Sequence, residues 1–182
     1  MKKEDFRNGY RVLMLHQRGK HGGHNRPDWH VIKRISTNEQ EFEVQLNALR
    51  DMRQRAENSD LLRIYSCVNR RDIEKAIRQF KFEQLEADYY DSENRHKFYR
   101  DVKNRFISAL MSPRSRAETH FLIDFDYEED GEPDDARVEL KNNTTILLEY
   151  DTPNGKHFIT EPYNPNNTPE LEIKKDALIF IE

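Results

Sequence analysis

The chain has 182 residues, 35% of them hydrophobic, with ten Phe, eight Tyr and one Cys. This fits a single small domain, or a domain with a lobe, whose core draws heavily on aromatic residues. Cys67 alone excludes an intramolecular disulfide, and no apolar run reaches bilayer-spanning length. Residues 1–7 lack the apolar stretch of a secretory signal, so the sequence predicts a soluble cytoplasmic protein with no membrane partner.

The charge is split along the chain. Residues 1–116 carry 25 Lys and Arg against 17 Asp and Glu, and residues 117–182 carry 5 against 17. A basic half beside an acidic half suits an enzyme that pairs carboxylate-bound cations with a polyanionic substrate. Mixing of these charges on the folded surface is the plainer reading. The acidic run Glu128–Asp135 reads as a solvated loop.

In chain order, residues 10–16 read as a short strand. A basic, Gly-containing loop follows with His16, His21, His24 and His30, and Trp29–Ile35 forms a second strand. No Cys or carboxylate completes a metal-ligand spacing with these His residues, so the loop reads as phosphate-facing rather than metal-binding. Ser36 or Thr37 is the expected cap of a helix carrying Phe42, Leu46, Leu49 and Met52 at helical spacing. Residues 61–68 alternate like a strand. A helix from about Arg71 uses Ile73, Ala76, Ile77 and Phe80, and another spans about Ser92 to Met111, stopped by Pro113.

Beyond this point the chain turns strand-rich, at 119–127, 144–150, 156–160 and 176–181. Thr152-Pro-Asn-Gly155 supplies the turn of a hairpin. The fold class expected is therefore α+β: an RRM-like antiparallel or mixed sheet in the C-terminal half, packed by helices from the middle of the chain. The domain reading is one domain over 1–182, with an N-terminal α/β lobe to about 116 and a catalytic sheet from about 117.

Phe121-Leu-Ile-Asp-Phe-Asp126 places two carboxylates two residues apart in an apolar run. On a strand these share a face. Paired carboxylates repel unless solvated or bridged by a cation, and hard divalent ions prefer carboxylate oxygen. Asp124 and Asp126 thus read either as metal ligands or as one wet face of an edge strand.

Three features follow in order: Asp124-x-Asp126, then Gly155-Lys-His157 after the turn, then Asp176 before the apolar Ala177–Ile181. This order resembles the archaeo-eukaryotic primase superfamily, over roughly residues 60–182. Gly155 stands where that family more often has Ser, and Asp176 follows Lys175 rather than an apolar residue. Glu170 and Glu172 are alternative third carboxylates.

The resemblance implies template-directed nucleotidyl transfer. Asp124, Asp126 and Asp176 would be catalytic and would hold Mg²⁺ or Mn²⁺. His157 and Lys156 would contact nucleotide. Arg63, Asn69, Arg70 and Arg71 border a strand-to-helix junction, where backbone amides also favour phosphate, and read as residues that hold template or triphosphate. The implied partners are nucleoside triphosphates, a single-stranded nucleic acid template, and a helicase or accessory subunit. The location would be the host cytoplasm if the chain is phage-encoded. Two alternatives stand beside this. Asp124 or Asp126 with Glu139-Leu-Lys141 matches the bare Asp…Glu-x-Lys pattern of restriction-type nucleases. The domain could also be a non-catalytic nucleotide- or nucleic-acid-binding module.

Overall fold

The computed structural model describes residues 10–18, 29–57, 59–89, 95–126, 133–152 and 155–182. His21 and His24 lie outside the described residues, as do 127–132 and the turn residues Pro153 and Asn154. The elements in chain order are β1 (Arg11–Arg18), β2 (Trp29–Thr37), α1 (Phe42–Arg55), β3 (Leu62–Cys67), α2 (Ile73–Tyr89), α3 (Arg95–Arg100) and α4 (Val102–Met111). They continue with β4 (Phe121–Asp126), α5 (Pro133–Asn143), β5 (Ile146–Asp151), β6 (Gly155–Thr160), β7 (Glu172–Lys174) and β8 (Leu178–Phe180). The fold is α+β with two four-stranded antiparallel sheets. Contacts divide the described residues into two compact units, 10–117 with Ile179–Glu182, and Glu118–Leu178.

In the first unit the strand order is β2-β1-β3-β8. Leu13 and Leu15 of β1 and Leu62 and Ile64 of β3 bury one sheet face against Phe42, Leu46 and Leu49 of α1. The helix therefore forms from the apolar spacing read in the sequence. Its start differs, because β2 runs on through Thr37 and a turn precedes the helix. The Asn38 side chain accepts from the Glu41 amide at 3.0 Å, and Glu41 is the N-cap in place of Ser36 or Thr37. Asp72 caps α2 by accepting from the amides of Glu74 and Lys75 at 2.9 and 3.1 Å. The long helix expected before Pro113 is two helices, α3 and α4, parted at Asp101.

The second unit runs β-α-β-β-β, with sheet order β5-β6-β4-β7. In unit numbering this is 2-3-1-4, the strand order of an RRM-like sheet. A short 3₁₀ turn, Pro165–Asn167, is the helical element before the last strand. The helix on this sheet is α5, whose first residues, Pro133 to Asp135, fall in the acidic run expected as a solvated loop. Pro133 begins it and Asp134 and Asp135 fill its first turn, where a fixed φ and negative charge both favour a helix start. Ala136 and Leu140, four residues apart, then pack with Phe121, Ile123, Phe125 and Phe158. Phe125 and Phe158 meet edge to face at 6.4 Å.

The final strand, expected as part of the C-terminal sheet, joins the first unit's sheet instead. Ile181 donates to the Ile64 carbonyl at 2.9 Å, and Ile64 donates to that of Glu182 at 2.7 Å.

Candidate functional site

The site follows from strand register. Ile123 and Phe125 face α5, so Asp124 and Asp126 face the other way. Asp124 pairs directly with His157 on β6 and with Glu172 on β7, and His157 pairs with Tyr150 on β5. Tyr150, His157, Asp124 and Glu172 therefore form one polar row across all four strands, on the face away from the aromatic core. Opposed residues of antiparallel strands carry their side chains on one side, close enough to bond.

Two hydrogen bonds link most of this row. His157 Nε2 lies 2.9 Å from Asp124 Oδ1, and Tyr150 Oη lies 2.7 Å from His157 Nδ1. The rings of Tyr150 and His157 meet edge to face at 5.2 Å. His157 is 9% exposed, so its ring is screened from bulk water, while the Asp124 side chain keeps 35% exposure and can be reached.

Lys174, two residues past Glu172 and on the same face, closes the row. Its ammonium donates to Asp124 Oδ2 and lies 3.3 Å from Glu172 Oε2. The hydrogen bond with His157 holds the Asp124 carboxyl well below its usual range, against the opposing effect of burial, with help from Lys174. Burial disfavours the Lys174 charge, yet Asp124 and Glu172 outweigh it and raise the Lys174 pKa.

Among the described residues, no three His, Cys, Asp or Glu side chains are grouped as a metal-binding set. Asp124 and Glu172 nevertheless hold a cation between them, the Lys174 ammonium. Their hard oxygen donors suit Mg²⁺ or Mn²⁺ in kind. An ion of that kind at this position would have to displace the ammonium.

Gly155 sits opposite Asp126, where the strands approach closely. A Cβ there would lie 1.9 Å from the Phe125 carbonyl oxygen, so the Ser commoner in the primase-like motif does not fit this backbone.

Other expected residues fall elsewhere. Lys156 shares the helix-side face with Phe125, opposite to that of His157, and pairs with Glu149 at 3.0 Å and Asp151 at 2.9 Å. Arg137 of α5 grips the same Glu149 with two donors, Nε at 2.9 Å. Hydrogen bonds from Arg137, opposed by burial and aided by Lys156, hold the Glu149 carboxyl down at about 2. Lys156 therefore belongs to an ion-pair network that ties α5 to the hairpin.

Asp176 lies in the turn after β7, and Glu172 is the carboxylate paired with Asp124. Glu139 and Lys141 are on α5, which packs the aromatic face, so Glu139-Leu-Lys141 is not the strand that the Asp…Glu-x-Lys pattern requires. Arg63, Asn69, Arg70 and Arg71 belong to the first unit. Arg71 is 3% exposed and donates to the carbonyls of Met111 and Ser112, and Asn69 is fully buried.

Sequence reasoning missed Tyr150 and Lys174. The hairpin held the signal for Tyr150. Thr152 bonds Gly155 across the turn, and counting back from that closure pairs Tyr150 with His157. No family model, curated protein or solved structure matches the chain.

Proposed function

We propose that the Asp124 face of the second unit is a metal-dependent nucleotidyl-transfer site of the primase-polymerase type, acting on nucleoside triphosphates at a single-stranded template. The observation that carries this reading is the cross-strand pairing of Asp124 with His157 on an RRM-like sheet, with a cation already seated against Asp124. Asp124 and Asp126 would hold Mg²⁺ or Mn²⁺, with Glu172 favoured over Asp176 as third carboxylate by its register. Such an ion neutralises triphosphate charge and acidifies the attacking hydroxyl.

The protein's own part is orientation. His157 is fixed through both ring nitrogens, so it aims the Asp124 carboxylate instead of reaching for phosphate. Lys174, once released, offers its ammonium to the triphosphate. A helicase or accessory subunit belongs to the same proposal. The nuclease reading is disfavoured by the placement of Glu139 and Lys141 on a helix. Primer-synthesis, primer-extension and nuclease assays on the parent, Asp124→Asn and Lys141→Ala test the proposal. It expects synthesis that Asp124→Asn removes and Lys141→Ala spares. Nuclease activity that depends on Lys141 overturns it.

A further inference from the structure

The order Tyr150–His157–Asp124 has the arrangement of an activated nucleophile: an oxygen nucleophile on a base, and the base held by a carboxylate. The two contacts, 2.7 and 2.9 Å, both lie within the reach such catalysis requires. The tautomer follows from the partners. Asp124 is ionised and can only accept, so His157 Nε2 carries the proton that bonds it. In the neutral ring Nδ1 then has its lone pair free to accept, and the Tyr150 hydroxyl must donate to it. With Nδ1 unprotonated, the phenolic proton points at the base that would remove it. Strand register fixes all three residues in one row, so the alignment does not depend on a loop.

We infer that Tyr150 is a nucleophile with His157 as its base, and that the protein attaches a nucleotide to itself there. This rests on the proposed reading that the face takes nucleoside triphosphates. In the step, Tyr150 Oη attacks the α-phosphorus and its proton passes to His157 Nδ1. The Oη–P bond forms as the bond from the α-phosphorus to the pyrophosphate oxygen breaks. Pyrophosphate leaves with that electron pair. The imidazolium is stabilised by Asp124 and later returns its proton to solvent. The product is a tyrosyl phosphodiester.

The experiment incubates the whole chain with an α-labelled nucleoside triphosphate and Mn²⁺, and follows label incorporation, intact mass and peptide mapping. In parallel, binding of a fluorescent nucleoside triphosphate and extension of a primed template are measured. The expected result is a mass gain of one nucleoside monophosphate less water, mapped to Tyr150. Tyr150→Phe, which keeps the ring, should lose the adduct at least about a hundredfold, while Lys141→Ala, on the helix of the opposite sheet face, should keep the adduct and bind nucleotide within about threefold of the parent. Nucleotide binding and primer extension without an adduct, or an adduct on another residue, overturn the inference and leave the nucleotidyl-transfer reading standing. Absence of nucleotide binding, extension and adduct together overturns both.

Discussion

The Lys174 ammonium is hydrogen-bonded to Asp124 Oδ2, and it reaches Glu172 from the same position. The lysine is thus a tethered monovalent cation at the position where the proposed divalent ion would sit. Lys174→Met should remove the competitor while keeping most of the aliphatic stem. Mn²⁺ affinity, measured by titration with electron paramagnetic resonance or thermal shift, should rise at least about tenfold, equivalent to about 1.4 kcal/mol. Unchanged affinity in Lys174→Met, with binding still lost in Asp124→Asn, would show that the ion binds without displacing the ammonium.

Gly155 lets β4 and β6 close beside Asp126. Because an added Cβ would lie 1.9 Å from a backbone oxygen, no side-chain rotation can relieve the clash. Gly155→Ala should destabilise the protein by about 1–3 kcal/mol or more, the range for forced overpacking. A urea midpoint equal to the parent's would show that the strands do not approach this closely.

Much of this layout is legible in the sequence, and the illegible parts have physical causes. Period-two apolar spacing marks β4, and the Thr152–Gly155 turn marks the hairpin, because both are local signals. The helix α5 was hidden because its acidic, proline-led start reads as loop until Ala136 and Leu140 find the aromatic face. Lys156 and His157 are neighbours in sequence yet occupy opposite faces, since a strand turns successive side chains apart. Lys174 enters the site through the pairing of β7 with β4, a long-range contact that no local pattern announces.

The Glu149 network gives a pH dependence with a definite sign. Its carboxyl is held down at about 2 in the folded protein, against an ordinary value of 4.5. A depressed acid contributes stability above its unfolded pKa and loses it as pH falls towards the folded value. The stability difference between the parent and Glu149→Gln should therefore be full above about pH 4.5 and shrink as pH falls towards 2. Asp124 is also depressed, but it is present in both proteins and cancels in the difference. Chemical denaturation of both proteins across that window measures the effect, and a constant difference would show that Arg137 and Lys156 do not hold Glu149 in solution.

The most direct measurement is nucleotide incorporation on primed and unprimed single-stranded templates with Mg²⁺ or Mn²⁺, comparing the parent with Asp124→Asn. Thermal unfolding run beside it confirms that both proteins are folded. The expected result is incorporation by the parent that falls at least about a hundredfold, or about 2.7 kcal/mol in transition-state stabilisation, in a still-folded Asp124→Asn. Incorporation that persists undiminished in Asp124→Asn, or a folded parent that incorporates nothing on either template with either ion, would contradict a nucleotidyl-transfer site at Asp124.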